Sequence, residues 1–134
     1  MIRVTAALIE RNGKILLAKR KKDDPLRDKW EFPGGKIEAN ESPEACLQRE
    51  LREELGIDAE IGEFFCLSHY EYEHAAIELI VYRIKSFTGD IKPQVHDDLA
   101  WVAPADLKKY DMPAADKPVI EKLTTSYRRA SNTL

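Results

Sequence analysis

Gly34-Gly35-Lys36-Ile37-Glu38-Ala39-Asn40-Glu41-Ser42-Pro43-Glu44-Ala45-Cys46-Leu47-Gln48-Arg49-Glu50-Leu51-Arg52-Glu53-Glu54-Leu55-Gly56-Ile57 is the stretch that decides how this chain folds. Ser42 suits an N-cap and Pro43 the first helical position. Glu44 meets the positive end of the helix dipole, and Gly56 suits the residue just past the C-terminus. The spacing therefore predicts a helix over Pro43–Leu55, with Ala45, Cys46, Leu47, Leu51 and Leu55 as an apolar stripe facing a core. Glu50, Glu53 and Glu54 stand at i, i+3 and i+4, where like charges repel by roughly a few tenths of a kcal/mol per pair. A divalent cation removes that repulsion, and an all-oxygen cluster suits Mg²⁺ or Mn²⁺ rather than zinc. Immediately upstream, Phe32-Pro33-Gly34-Gly35 predicts a tight loop whose glycines let backbone groups come close to a ligand. A glycine loop feeding a carboxylate-bearing helix points to a metal–phosphate site and to hydrolysis of a phosphoanhydride.

The 134 residues suit one domain over 1–134, large enough to bury a core without disulfides. Hydrophobic content of 43% and charged content of 34% are those of an ordinary soluble protein. A formal net charge of −3 argues against a stable nucleic-acid partner bound through a basic surface. Cys46 and Cys66 read as small buried hydrophobes in a reducing compartment. The chain shows neither a membrane-spanning apolar run nor a signal-peptide pattern, so the expectation is a cytoplasmic protein, monomer or homodimer, with no membrane partner.

Outward from the helix, Ile2–Glu10 reads as a strand, Asn12-Gly13 as a hairpin turn and Ile15–Lys19 as the returning strand. Lys21, Lys22, Asp23, Asp24 and Pro25 read as a solvated loop, whereas Arg20, at the strand end near Trp30, is placed to reach a phosphate. Ile61–His69 and Glu78–Lys85 have strand character, separated by a turn at Glu71-Tyr72-Glu73-His74. A short strand is expected at Leu99–Ala103 and a helix at Ala105–Lys109. A loop is expected over 111–117, then a last helix from Pro118 to about Arg129, with a frayed tail from about residue 130. The pattern alone supports α+β or α/β, a mixed sheet between helices.

Gly35, Glu41, Arg49-Glu50-Leu51, Glu53-Glu54 and Gly56-Ile57 match the signature of the Nudix hydrolases at every specified position, nine of them over 23 residues. The chain resembles that family from the first strand to Leu123, and the resemblance implies the Nudix α/β/α sandwich. It implies metal ligation by Glu53, Glu54 and the Gly34 carbonyl, with Glu50 a ligand or a base acting through water. Arg49 would orient these groups by pairing with Glu41 or Glu50. The run Trp30–Glu38, with Pro118-Val119-Ile120 and Lys122-Leu123, is similar to the MutT-like branch, which converts nucleoside triphosphates to monophosphates and pyrophosphate. There Arg20 would contact phosphate, Phe32 would line the base pocket beside Gly35, and Asp116 would read the base edge. MutT proteins carry Asn where this chain has Asp116, and related CTP pyrophosphohydrolases carry Asp. An oxidised purine such as 8-oxo-dGTP is the first expectation and a cytidine nucleotide the alternative. ADP-ribose, a dinucleoside polyphosphate or a non-catalytic nucleotide sensor remain further options. The base-recognition domain of a repair glycosylase shares the fold but is disfavoured by the acidic charge balance. Relatives carry a Glu where this chain has Val95. His96 reads as structural, Asp97 or Asp98 stand near enough to substitute for that Glu, and His69 and His74 have no assigned partner.

Overall fold

The computed structural model describes residues 1–21 and 28–132, and side chains of the last helix as far as residue 126. The expected loop residues Lys22 to Pro25, and Thr133 and Leu134 of the expected tail, lie outside the described residues.

Strand β1, Ile2–Leu8, runs parallel to β6, Ala75–Thr88, which in turn pairs antiparallel with β5, Asp58–Tyr72. A second group is built on β3, Lys14–Lys19. It pairs with β2, Glu10–Arg11, with β4, Trp30–Glu31, and with β7, Asp98–Val102. Successive strand side chains point to opposite faces, and the cores obey that rule. Ala6, Leu8, Ile15 and Leu17 pack on one face with Val119, Ile120 and Leu123, while Ala7, Ile9 and Leu16 pack on the other with Leu47, Leu51 and Leu55. Helix α1, Pro43–Leu55, therefore covers one face and helix α2, Lys117–Asn132, the other. The result is the expected mixed α/β/α arrangement. Each fully buried leucine on α1 contributes about 2 kcal/mol by burial.

The bounds of α1 match the expectation at both ends. Ser42 accepts from Ala45 N–H, and Gly56 closes the helix in the left-handed region with φ 72°. Asn12 and Gly13, with φ 53° and 77°, form the predicted hairpin turn.

Several expectations need correction. Ala45 is exposed, so the stripe facing the core begins at Cys46. Cys66 is only half-buried. The first strand breaks after Leu8, and Tyr72 belongs to β5, leaving Glu73-His74 alone as the turn. Pro104–Lys109 is a 3₁₀ turn, and the 111–117 loop contains another at Ala114–Asp116. Helix α2 continues to Asn132, so Ser131 is helical rather than frayed.

Candidate active site

Three backbone hydrogen bonds stitch the glycine loop to the edge of β1 left open by β6. Ile37 N–H donates to Arg3 O at 2.9 Å, Thr5 N–H to Gly35 O at 2.8 Å and Ala7 N–H to Pro33 O at 2.8 Å. Between those anchors Gly34 turns its N–H to Glu54 Oε2 at 3.0 Å. The buried Thr5 hydroxyl donates to Gly35 O at 3.1 Å. Neither glycine has room for a side chain. A Cβ on Gly34 would stand 2.1 Å from the Thr5 carbonyl oxygen, and one on Gly35 2.3 Å from Glu50 Cδ.

α1 delivers its acids at three depths, because it lies on the sheet and rotates them differently towards it. The Glu54 side chain is 11% exposed, Glu50 16% and Glu53 59%. Arg49 ties the outer part together. Its Nε and Nη2 donate to the two Glu41 oxygens at 2.8 and 2.9 Å, and its Nη1 donates to Glu50 Oε1 at 2.8 Å. Nη2 also donates to Lys36 O at 3.2 Å, which joins the helix to the glycine loop. Two parallel N–H···O bonds fix orientation as well as distance. This guanidinium holds the Glu41 carboxyl down to about 2, and the carboxylates hold Arg49 fully protonated. Burial pushes Glu50 above the usual carboxylate range, against the pull of Arg49.

The inner part is a cleft of about 1410 Å³ lined by Gly34, Gly35, Glu54, Arg20, Phe32 and Asp116, among others. Four of these are the residues expected to bind substrate. Glu50, Glu53, Arg49 and Glu41 are not part of its lining; Glu53 is exposed and the other three are half-buried.

Glu31 is a cleft residue that the sequence reading missed. Its Oε1 lies 2.7 Å from Arg20 Nη2, and its Oε2 lies 2.8 Å from His96 Nε2. His96 Nε2 is also 4.0 Å from Glu54 Oε1. The Glu31 carboxylate only accepts, so the imidazole proton belongs on Nε2. The buried Nδ1 has no hydrogen-bond partner among the described residues. His96 therefore serves better as the holder of Glu31 than as a ligand. Val95 lines the same cleft, whereas Asp97 and Asp98 are exposed and do not, so Glu31 is the added carboxylate on that side. An acid between two aromatics ahead of the glycine loop was the only signal for it.

Two buried carboxyls are strongly displaced. Burial, with the Glu31 and Glu50 carboxylates nearby, pushes Glu54 up to about 9. Burial and Glu31 push Asp116 up to about 7, partly offset by Arg20. Carboxyls pushed up in this way lack nearby positive charge, which a divalent cation would supply. One oxygen or nitrogen from each of Glu31, Glu54 and His96 falls within 4.8 Å of the others. With His96 engaged by Glu31, the donors left are the carboxylate oxygens of Glu31 and Glu54, which suit a hard dication.

A glycine loop and an acidic helix meeting at such a cleft define a metal-assisted hydrolase of phosphoanhydrides. The NUDIX domain family matches residues 1–123, and the chain belongs to that family. It is similar to the CTP pyrophosphohydrolase of Escherichia coli K12, 42% identical over 121 residues and 90% of each chain. It is also similar to the 8-oxo-dGTP diphosphatase of the same organism, 35% identical over 84% of this chain and 87% of that one. The solution structure of the E. coli ORF135 protein superposes with a TM-score of 0.86 at 41% identity, covering 97% of this chain and 92% of that one.

Proposed function

We propose that this Nudix hydrolase is a Mg²⁺-dependent pyrophosphohydrolase that converts a nucleoside triphosphate to its monophosphate and pyrophosphate. The observation that carries this reading is the shared cleft: Gly34 and Glu54 line it together with Arg20 and Asp116. Glu53, Glu54 and the Gly34 carbonyl would hold the cation. Bound there, Mg²⁺ neutralises phosphate charge and makes water a better nucleophile. Arg49, braced on Glu41, aims Glu50, whose raised affinity for protons suits it to take one from the attacking water. Arg20 supplies a guanidinium to the phosphates, Phe32 offers an apolar wall to the base, and Gly35 leaves the loop free of a side chain.

Asp116 sets the base. As a carboxylate it accepts only; protonated, it also donates. A carboxyl titrating at about 7 offers both forms near neutrality. Cytosine presents its amino group to such an acceptor, which agrees with the 42% identity to a CTP pyrophosphohydrolase. An oxidised guanine presents an N7–H beside its O6 acceptor, which agrees with the resemblance to 8-oxo-dGTP diphosphatases and matches the protonated form. The test is pyrophosphate release in Mg²⁺ from 8-oxo-dGTP, dGTP, CTP, dCTP and 5-methyl-dCTP side by side. Preference for 8-oxo-dGTP supports the purine reading and preference for the cytidine set the other. Cleavage of ADP-ribose with none of the five turned over would overturn the reading of the base pocket.

Asp116→Asn keeps the shape but cannot ionise. We expect it to change the order of preference among the five nucleotides by about 10-fold or more, and to abolish any change in KM through pH 7. Parent-like selectivity and pH profile would show that Asp116 does not touch the base.

A further inference from the structure

The carboxyl read as contacting the base sits on a short turn that runs into α2. Ala114–Asp116 is a single 3₁₀ turn, in which Asp116 N–H donates to Pro113 O at 3.0 Å and Lys117 N–H to Ala114 O. Two further bonds come from β5. The buried Ser68 hydroxyl donates to Ala115 O at 2.8 Å, and Ala115 N–H donates to Tyr72 Oη at 3.1 Å. Ser68 and Tyr72 are four apart on one strand and so share a face. Together they grip both polar backbone groups of the residue that precedes Asp116. Tyr72 and Asp116 also line the same cleft.

We propose that Ser68 and Tyr72 are positioning residues that determine base selectivity by clamping the backbone of Ala115 and so aiming Asp116. The inference rests on the reading of Asp116 as the base reader. Hydrogen bonds weaken steeply once their angle departs from linear. A carboxyl that rocks on an unclamped turn would still accept from many bases but would separate them poorly. The groups read as binding phosphate and metal lie elsewhere, on the glycine loop beside β1, on α1 and just after β3, so discrimination falls first and phosphate chemistry last.

The experiment measures kcat/KM for the five nucleotides with Ser68→Ala and Tyr72→Phe, each made in the parent and in an Asp116→Ala background. Each change removes one oxygen. In the parent, either variant should lower the ratio between the best and worst base by about 5-fold to 10-fold. In the Asp116→Ala background, where nothing is left to aim, neither should change the ratio further. A parent-like ratio in both single variants overturns the clamp while leaving Asp116 as reader. A shift that persists without Asp116 overturns it too, because the hydroxyls would then act on substrate directly or through the fold at large. If Asp116→Ala alone leaves the ratio unchanged, the base-pocket reading falls and the clamp falls with it.

Discussion

Glu54→Gln should lower turnover by at least about 10²-fold while leaving the metal-free protein at least as stable as its parent at pH 8. The two halves of this expectation have one cause. Burial and the neighbouring Glu31 and Glu50 carboxylates push Glu54 up to about 9, well above its ordinary 4.5. A carboxyl whose affinity for protons is higher in the folded than in the unfolded state makes stability fall as pH rises. For Glu54 the loss begins near 4.5 and is complete near 9, and glutamine, which cannot ionise, avoids it. Its amide oxygen still accepts from Gly34 N–H, which donates to Glu54 Oε2 in the parent. What glutamine cannot do is give a charged oxygen to a cation. Mg²⁺ should therefore raise the parent's melting temperature more at pH 8 than at pH 5, and that of the variant little at either. Glu53→Gln makes the contrast, because this side chain is 59% exposed. It should cost comparable turnover and change the melting temperature little at any pH. Thermal melts from pH 5 to 9 with and without Mg²⁺, beside kcat, test both. Near-parent turnover in the two variants would remove the acids of α1 from the site.

Those neighbouring glutamates also show where sequence and structure part. On a helical wheel both belong to the acidic side of α1, and nothing local says that one is buried and the other exposed. That difference is set by how α1 rotates when Leu47, Leu51 and Leu55 seat on the sheet. The bounds of α1 were legible because caps are local: Ser42 satisfies an N–H three residues on, and Gly56 takes a conformation that other residues resist. Arg49 was read through the resemblance as pairing with Glu41 or Glu50, and in the structure it pairs with both. Glu31 and His96 touch across 65 positions, and Ser68 and Ala115 across 47. Such contacts are products of strand order. Asp116 was reached only through resemblance, since an acid in a Pro- and Ala-containing loop has no pattern of its own. Tyr72 was read as part of the turn between two strands. The structure extends β5 through it because its cross-strand partner Ala75 continues the ladder.

The glycine loop supports a prediction of comparable size. Gly34→Ala should destabilise the protein by about 3 kcal/mol or more. Its φ of 151° is unfavourable for a side chain, and the added Cβ would lie 2.1 Å from the Thr5 carbonyl oxygen. That oxygen cannot yield. It belongs to β1, which is held by β6 on one edge and by the loop on the other, and which presents Ala6 and Ala7 to the two cores. Relief therefore requires the loop to leave β1, taking with it the Gly34 N–H bond to Glu54. Gly35→Ala should behave differently. Its Cβ would meet the end of the Glu50 side chain at 2.3 Å, and a side chain can swing where a strand cannot. Stability should fall by only about 1 kcal/mol, but Glu50 would be driven off its 2.8 Å bond to Arg49 and lose its aim. Denaturant unfolding separates the two: a large drop in midpoint for Gly34→Ala, a small one for Gly35→Ala, with turnover lost in both. A Gly34→Ala protein that unfolds like its parent would mean that the loop does not sit against β1 as described. A fully active Gly35→Ala protein would mean that Glu50 needs no fixed position to work.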